Sequence, residues 1–147
     1  MDIGRVTNTR FKSPQQKAII NLRFTSNWIL KKQNAYMSKH DISIAQFNIL
    51  RILRGANETL SVNTVKHRMI EKSPNTTRLM DKLIEKGLII RDRNENDKRI
   101  INVKITSLGL DLLANIDVEF DQELTMLDVL SDEEANTLSD LLDKLRE

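Results

Sequence analysis

Asn75, Arg78, Lys82 and Glu85 stand at positions i, i+3, i+7 and i+10, a spacing that puts an amide, two cations and a carboxylate along one face of a helix. The set contains no nucleophile with a neighbouring base. An amide and a guanidinium at this spacing have instead the geometry to hydrogen-bond base edges in a duplex groove, asparagine to adenine and arginine to guanine. Each good bidentate pair gives about 1–3 kcal/mol of discrimination. Lys82, a turn further along, suits a phosphate, which adds affinity without sequence information. Just upstream, Ser73-Pro74 supplies an N-cap and a proline at the first helical position. Unpaired N–H groups and the positive end of the helix dipole would then face a phosphate, with Asn75, Thr76, Thr77 and Arg78 on the first turns. Taken alone, Asn75, Arg78 and Lys82 also fit the solvated face of any helix packed on a core.

A second cationic group follows at Arg93, Lys98 and Arg99. It sits around Asn94-Glu95-Asn96-Asp97-Lys98, a run with no large apolar residue. The flanking segments alternate, with Leu88 and Ile90 on one side of a strand, then Ile101, Val103 and Ile105 on one side of another. The pattern predicts a β-hairpin whose basic tip cannot be buried. Asp97 repels phosphate, so its expected role is to hold a nearby arginine through a bidentate bond. A plain salt-bridged loop has the same composition.

These groups need a frame. Met1 to Lys12 has no apolar period and reads as a flexible or loosely docked arm. Ser13-Pro14 starts a helix that runs to about Met37. Ser43 caps the next, where Ile44, Phe47, Leu50 and Leu53 recur until Gly55 ends it, with Gly55-Ala56-Asn57-Glu58 as the turn. Ser61 caps a short helix with Val62, Val65 and Met69 on one face. Glu71-Lys72-Ser73 then leads into the helix that carries Arg78, whose inward face is Leu79, Met80, Leu83 and Ile84 and whose end is Lys86-Gly87. Two short helices so joined make a helix-turn-helix. Beyond the hairpin, Thr106 caps a long helix with Leu108, Leu112, Ile116 and Phe120 at i+4, widened by Leu113, Leu124 and Leu127. Ser131-Asp132-Glu133-Glu134 is a capping box before Leu138, Leu141, Leu142 and Leu145. The fold class is mainly α with a small antiparallel β-hairpin, an α+β chain.

At 147 residues the chain is expected to form a single domain over 1–147. No apolar run reaches the length that spans a bilayer, and Met1-Asp2-Ile3-Gly4-Arg5-Val6 lacks the apolar core of a secretory signal, so the expected location is cytoplasmic, with no membrane partner. The net charge of +2 conceals an asymmetry: residues 1–59 sum to +7, residues 60–105 to +5 and residues 106–147 to −10. A basic body joined to an acidic, leucine-striped end suits a molecule with one side toward phosphates and the other turned away. Those leucine stripes are hard to bury within one chain and predict contact with a second copy of it. No cysteine is present, which excludes thiol-based sensing. Four isolated glycines form no phosphate loop and two histidines form no ligand cluster, so neither an enzyme, a cofactor nor a metal site is expected.

The order of the capped helix-turn-helix, Thr77-Arg78-Leu79, Lys86-Gly87-Leu88, Asp97-x-Arg99 and Val103-x-Ile105-Thr106-x-x-Gly109 resembles the MarR family of bacterial winged-helix transcriptional regulators. Ile44-x-Gln46-Phe47-x-x-Leu50 and Leu130-Ser131-Asp132-Glu133-Glu134 fit the same family, and the likeness covers roughly residues 15 to 146. The resemblance implies a winged helix-turn-helix DNA-binding region at 43–106 and a helical dimerisation region formed by 13–38 with 107–146. It further implies a homodimer on a pseudo-palindromic operator in double-stranded DNA, acting as a repressor. Arg99 would enter the minor groove from the wing, with Arg93, Asn96 and Lys98 beside it, and Asp81 and Asp97 would position wing arginines. Many relatives sense small molecules in a cleft between the dimerisation helices and the winged helix; Trp28, Tyr36, His40 and Phe47 are the candidates to line one, with plain core packing as the alternative. A winged-helix module that docks a protein without specific DNA binding is the competing function, and the basic 60–105 segment argues against it.

Overall fold

The computed structural model describes residues 2–70, 75–93, 100–123 and 129–147. In chain order its helices are α1 (Ile3–Thr7), α2 (Pro14–Met37), α3 (Ile44–Ala56), α4 (Val62–Arg68), α5 (Thr76–Glu85), α6 (Ser107–Glu123) and α7 (Asp132–Arg146), with a 3-10 turn at Ser38–His40. The strands are β1 (Leu60–Ser61), β2 (Ile89–Arg93) and β3 (Ile101–Ile105).

Serines set most of the helix starts. Ser13 accepts from the Gln16 amide at 3.1 Å with Pro14 at the first position of α2. Ser61 accepts from Thr64 at 3.0 Å at the start of α4. Ser43 with Gln46, and Ser131 with Glu134, close full capping boxes on α3 and α7, each satisfying two backbone donors that a helix start otherwise leaves open. The Gln46 side chain is buried because its oxygen accepts from the Ser43 amide at 2.9 Å.

Around α3 the core assembles. Ile44, Phe47, Ile49, Leu50 and Leu53 are all buried, which covers well over one stripe of the helix, and α3 packs against α2, α4, α5, α6 and β3. Each such side chain contributes about 1.5–3 kcal/mol by leaving water. Met80 and Leu83 of α5, Val65 of α4, Ile89 and Val103 of the sheet, and Leu113 and Ile116 of α6 complete the same cluster.

Several local expectations are corrected. The N-terminal arm, expected to be flexible or loosely docked, is docked and forms the unforeseen α1: Asp2 caps it, Ile3 is buried, and Lys17 reaches Asp2 at 2.6 Å, a contact that holds the Asp2 carboxyl below its ordinary pKa. Gly55 does not end α3. It lies within the last turn, and Asn57 takes the left-handed cap instead (φ 52°), a conformation asparagine tolerates better than most residues. The helix expected to open at Ser73 has its N-cap at Asn75 and its first residue at Thr76; Ser73 and Pro74 lie outside the described residues.

In the first hairpin strand the inward residue is Ile89, while Ile90 is half exposed. The reason is that Leu88 belongs to the end of α5. Gly87 takes φ 68°, its amide bonds the Ile84 carbonyl, and the Leu88 amide bonds the Leu83 carbonyl, a Schellman motif that consumes Leu88 before the strand's alternation begins. Ile89 pairs with Ile105 and Arg91 with Val103, so the expected Ile101, Val103 and Ile105 face is correct. The two-residue β1 adds an unforeseen third strand, in the order β1-β3-β2, all antiparallel. In α6, Leu113 and Ile116 point inward while Leu108 is exposed; Phe120, Leu124 and Leu127 fall where no side chain is described.

Thr106 joins the hairpin to α6. Its hydroxyl donates to the Gly87 carbonyl at 2.7 Å and accepts from the Gly109 amide at 3.1 Å, while its own amide donates to the Leu88 carbonyl at 3.1 Å. One residue thus ties the end of α5 to the start of α6. The approach is close enough that a Cβ on Gly109 would overlap the Leu88 carbonyl oxygen and stand 2.7 Å from Ile105 Cγ1, whereas a Cβ on Gly55 meets nothing within 4 Å. Gly109→Ala is therefore expected to destabilise the protein by about 1–3 kcal/mol, and Gly55→Ala to stabilise it by about 0.5–1 kcal/mol. Urea denaturation midpoints of the two variants check this, and shifts of the same sign would contradict it.

Candidate nucleic-acid interface

The amphipathic pattern of α5 divides the helix cleanly. Thr76, Met80 and Leu83, at i, i+4 and i+7, are 1%, 0% and 0% exposed and anchor the helix on the core. Asn75, Thr77, Arg78, Lys82 and Glu85 lie on the solvent side. Thr76 is a correction: it was expected beside Asn75 and Arg78 among the groove-facing residues, but its position in line with Met80 and Leu83 turns it inward. The outward face is otherwise the one the spacing predicted.

The preceding α4 ends in Lys66, His67 and Arg68, of which His67 and Arg68 are exposed. All three lie on the first helix of the helix-turn-helix. The sequence places His67 near DNA or solvent, but gives no reason to single out Lys66 or Arg68, because basic residues at a helix end ordinarily only complement the dipole.

Asp81 is paired with an arginine of the hairpin. Arg91 Nη2 donates to Asp81 Oδ1 at 2.5 Å and so pins the base of the hairpin to α5. Arg91 was missed by sequence reasoning, although its spacing of two from Arg93 puts both arginines on one face of β2 and could have indicated it. The β2–β3 register holds from Ile89↔Ile105 to Arg93↔Ile101. Asn96, Asp97, Lys98 and Arg99, and the side chain of Arg93, lie outside the described residues.

The candidate effector residues differ in their surroundings. Tyr36 and Phe47 are 3% and 1% exposed and belong to the core cluster, where aromatic residues at helical spacing are usually found. His40 approaches the Tyr36 ring with centroids 5.4 Å apart. Trp28 is exposed on α2, with the Lys32 ammonium 5.8 Å from its ring centroid. A cleft of about 500 Å³ lies elsewhere, lined by Ser38, Asp41, Ile42, Gln46, Lys82, Glu85 and Lys86, between the turn after α2, the start of α3 and the outer end of α5. Lys86 reaches across to Asp41, donating to its carboxylate at 2.5 Å and also to its backbone carbonyl.

A capped helix-turn-helix followed by an antiparallel hairpin tied back to the second helix is a winged helix. Residues 30–116 match the family described as Transcriptional regulator SarA/Rot. A mutant of E. coli MarR complexed with operator DNA is 32% identical in sequence and superposes with a TM-score of 0.71, over 85% of this chain and 91% of that one. The chain belongs to the MarR family. Another relative is the HTH-type transcriptional regulator SarZ of Staphylococcus haemolyticus, 27% identical over 82% of this chain and 81% of that protein. The S. aureus MepR–DNA complex is 26% identical with a TM-score of 0.75, covering 84% of this chain and 92% of the other. This MarR-family chain is accordingly a DNA-binding transcriptional regulator and not an enzyme. No helix among its described residues is long and apolar enough to cross a membrane.

The inward placement of Thr76 makes a prediction that separates packing from reading. Thr76→Ala is expected to lower stability by about 1–2 kcal/mol while leaving base preference unchanged, as measured by denaturation and by binding to single-base operator variants. Altered base preference at unaltered stability would put this side chain in the groove after all.

Proposed function

We propose that this regulator works as a homodimer, each copy presenting α5 to a major groove of a pseudo-palindromic operator and its wing to the neighbouring minor groove. The observation that carries the reading is α7: its capping box is complete, yet none of its residues is buried. Leu138, Leu141 and Leu145 recur on it at helical spacing and are exposed, as are Ile19, Leu22, Phe24 and Trp28 on α2. Helices with such uncovered apolar residues draw their stability from packing that a single chain does not supply, and a second copy supplies it. The regions 13–38 and 107–146 then form the pairing unit, and 43–106 the reading unit.

Within the reading unit, Asn75 and Arg78 are the base-reading pair, with Thr77 beside them, and Lys82 binds phosphate. Ser73 and Pro74 bring the entry of the helix toward the backbone. Arg99 probes the minor groove, with Arg93, Asn96 and Lys98 on the adjoining phosphates and Asp97 as a positioning group. Asp81 acts through Arg91, without touching DNA. Two-fold symmetry sets the half-sites about one helical turn apart, roughly 10 base pairs. A protein composed of a reading unit and a pairing unit acts by occupying its operator, in the cytoplasm where bacterial DNA lies, and its effect is repression. A small polar effector that entered the cleft against Lys82, Glu85 and Lys86 would displace α5 and release the operator; the cleft's size suits such a molecule.

Arg78→Ala is expected to flatten base preference at one position in each half-site, at a loss of about 1–3 kcal/mol. Lys82→Ala should weaken binding to all sequences alike and reduce the slope of log affinity against log salt by about 0.9 for each phosphate it leaves without a cation. Titrations of the full chain against a selected duplex and its single-base variants, at several salt concentrations, distinguish the two. Leu141→Asp should yield monomers by sedimentation; a monomeric wild type, or no preference for any duplex over random DNA, refutes the proposed function.

A further inference from the structure

Arg54, in the last turn of α3, faces Asp117 on α6 across 63 residues of sequence. Its Nη1 donates to Asp117 Oδ2 at 2.5 Å and its Nη2 to Oδ1 at 3.4 Å, the two-pronged arrangement that fixes both the distance and the plane of the groups. Among the described residues the remaining ion pairs lie elsewhere. Lys17–Asp2 docks the N-terminus on α2, Arg91–Asp81 lies inside the reading unit, Lys86–Asp41 holds the outer end of α5 to the turn before α3, and Arg146–Asp143 lies within α7. Arg54–Asp117 is therefore the charged link, among these residues, between the helix on which the reading unit is built and the helix that leads to α7.

With side chains 35% and 47% exposed, such a pair contributes little to stability. Its place in the fold gives it another role. Where α6 begins, Thr106 and Gly109 fasten it to the end of α5, and 11 residues after Thr106 the Arg54 fork holds it a second time. Between the two, Leu113 and Ile116 seat α6 on the core, and the fork adds a directional contact to that packing. Because α6 spans 17 residues, about 25 Å, a tilt of about 8° about its fastened start displaces its far end by about 3.4 Å, the rise of one base pair.

We propose that Arg54 and Asp117 form a positioning strut that sets the angle between the reading and pairing units, and with it the half-site spacing the dimer accepts. The proposal rests on the homodimer reading. Neither residue touches DNA, so the strut governs discrimination between spacings and leaves base preference within a half-site alone.

The test uses the full-length chain and a duplex it selects from a randomised library, resynthesised with one base pair inserted or removed between half-sites. Arg54→Gln, Asp117→Asn and the double variant are each expected to reduce the preference for the selected spacing by about three- to tenfold, toward the lower end of the range for a single pairwise coupling. The double variant should be no worse than either single one, and sedimentation, melting temperature and base preference should stay close to wild type. Arg54→Lys, which keeps the charge but not the fork, should fall between. Unchanged spacing preference in both single variants, or losses that simply add in the double variant, overturns the strut while leaving the dimer intact. A wild type indifferent to spacing overturns the dimer reading and the strut together.

Discussion

The burial of α3 is the constraint on which the other elements depend. A helix with a single apolar stripe can pack on one neighbour, but α3 withdraws Ile44, Phe47, Ile49, Leu50 and Leu53 from solvent on several sides. It is consequently the surface against which α2, α4, α5, α6 and β3 are all placed. Close-packed interiors do not deform continuously, so the elements around α3 hold fixed positions relative to one another. The outward direction of Arg78 on α5 follows from the inward direction of Met80 and Leu83 on the same core.

Polar contacts refine that arrangement more than they stabilise it. The Asp81–Arg91 pair is partly exposed on both sides, as is Arg54–Asp117, and ion pairs so solvated add little to the free energy of folding. What they supply is geometry: one keeps the hairpin at a set position on α5, the other keeps α6 at a set direction from α3. The Thr106 hydroxyl, with a donor bond to the end of α5 and an acceptor bond from α6, belongs to the same class. The uncharged contact at Gly109 differs, because there the limit is steric, and no Cβ fits beside the Leu88 carbonyl oxygen.

The distribution of charge along the chain takes on a spatial meaning in this frame. The cations of α4, α5 and β2 lie in the winged helix, and the acidic run sits on α6 and α7. Negative charge of that density repels phosphate, and the leucines of the same region are exposed in the single chain.

Element identity was legible in the sequence wherever a local signal sufficed. Ser13, Ser43, Ser61 and Ser131 cap helices through bonds to residues three positions on, Gly87 takes its left-handed turn from the absence of a side chain, and the helical period of α5 separates its wet face from its dry one except at Thr76. Such signals span one turn of backbone, so the chain alone carries them. At Asn57, Leu88 and Thr76 the deciding contacts are also local, bonds to Arg54 and Leu83 and a place in line with Met80 and Leu83, but there competing local signals point different ways. Tertiary structure decided what depends on residues farther apart: that β1 joins the sheet, and that Arg91 and Arg54 find Asp81 and Asp117. These outcomes are set by competition for a shared core and by charges meeting across it, and neither has a period that a linear sequence displays.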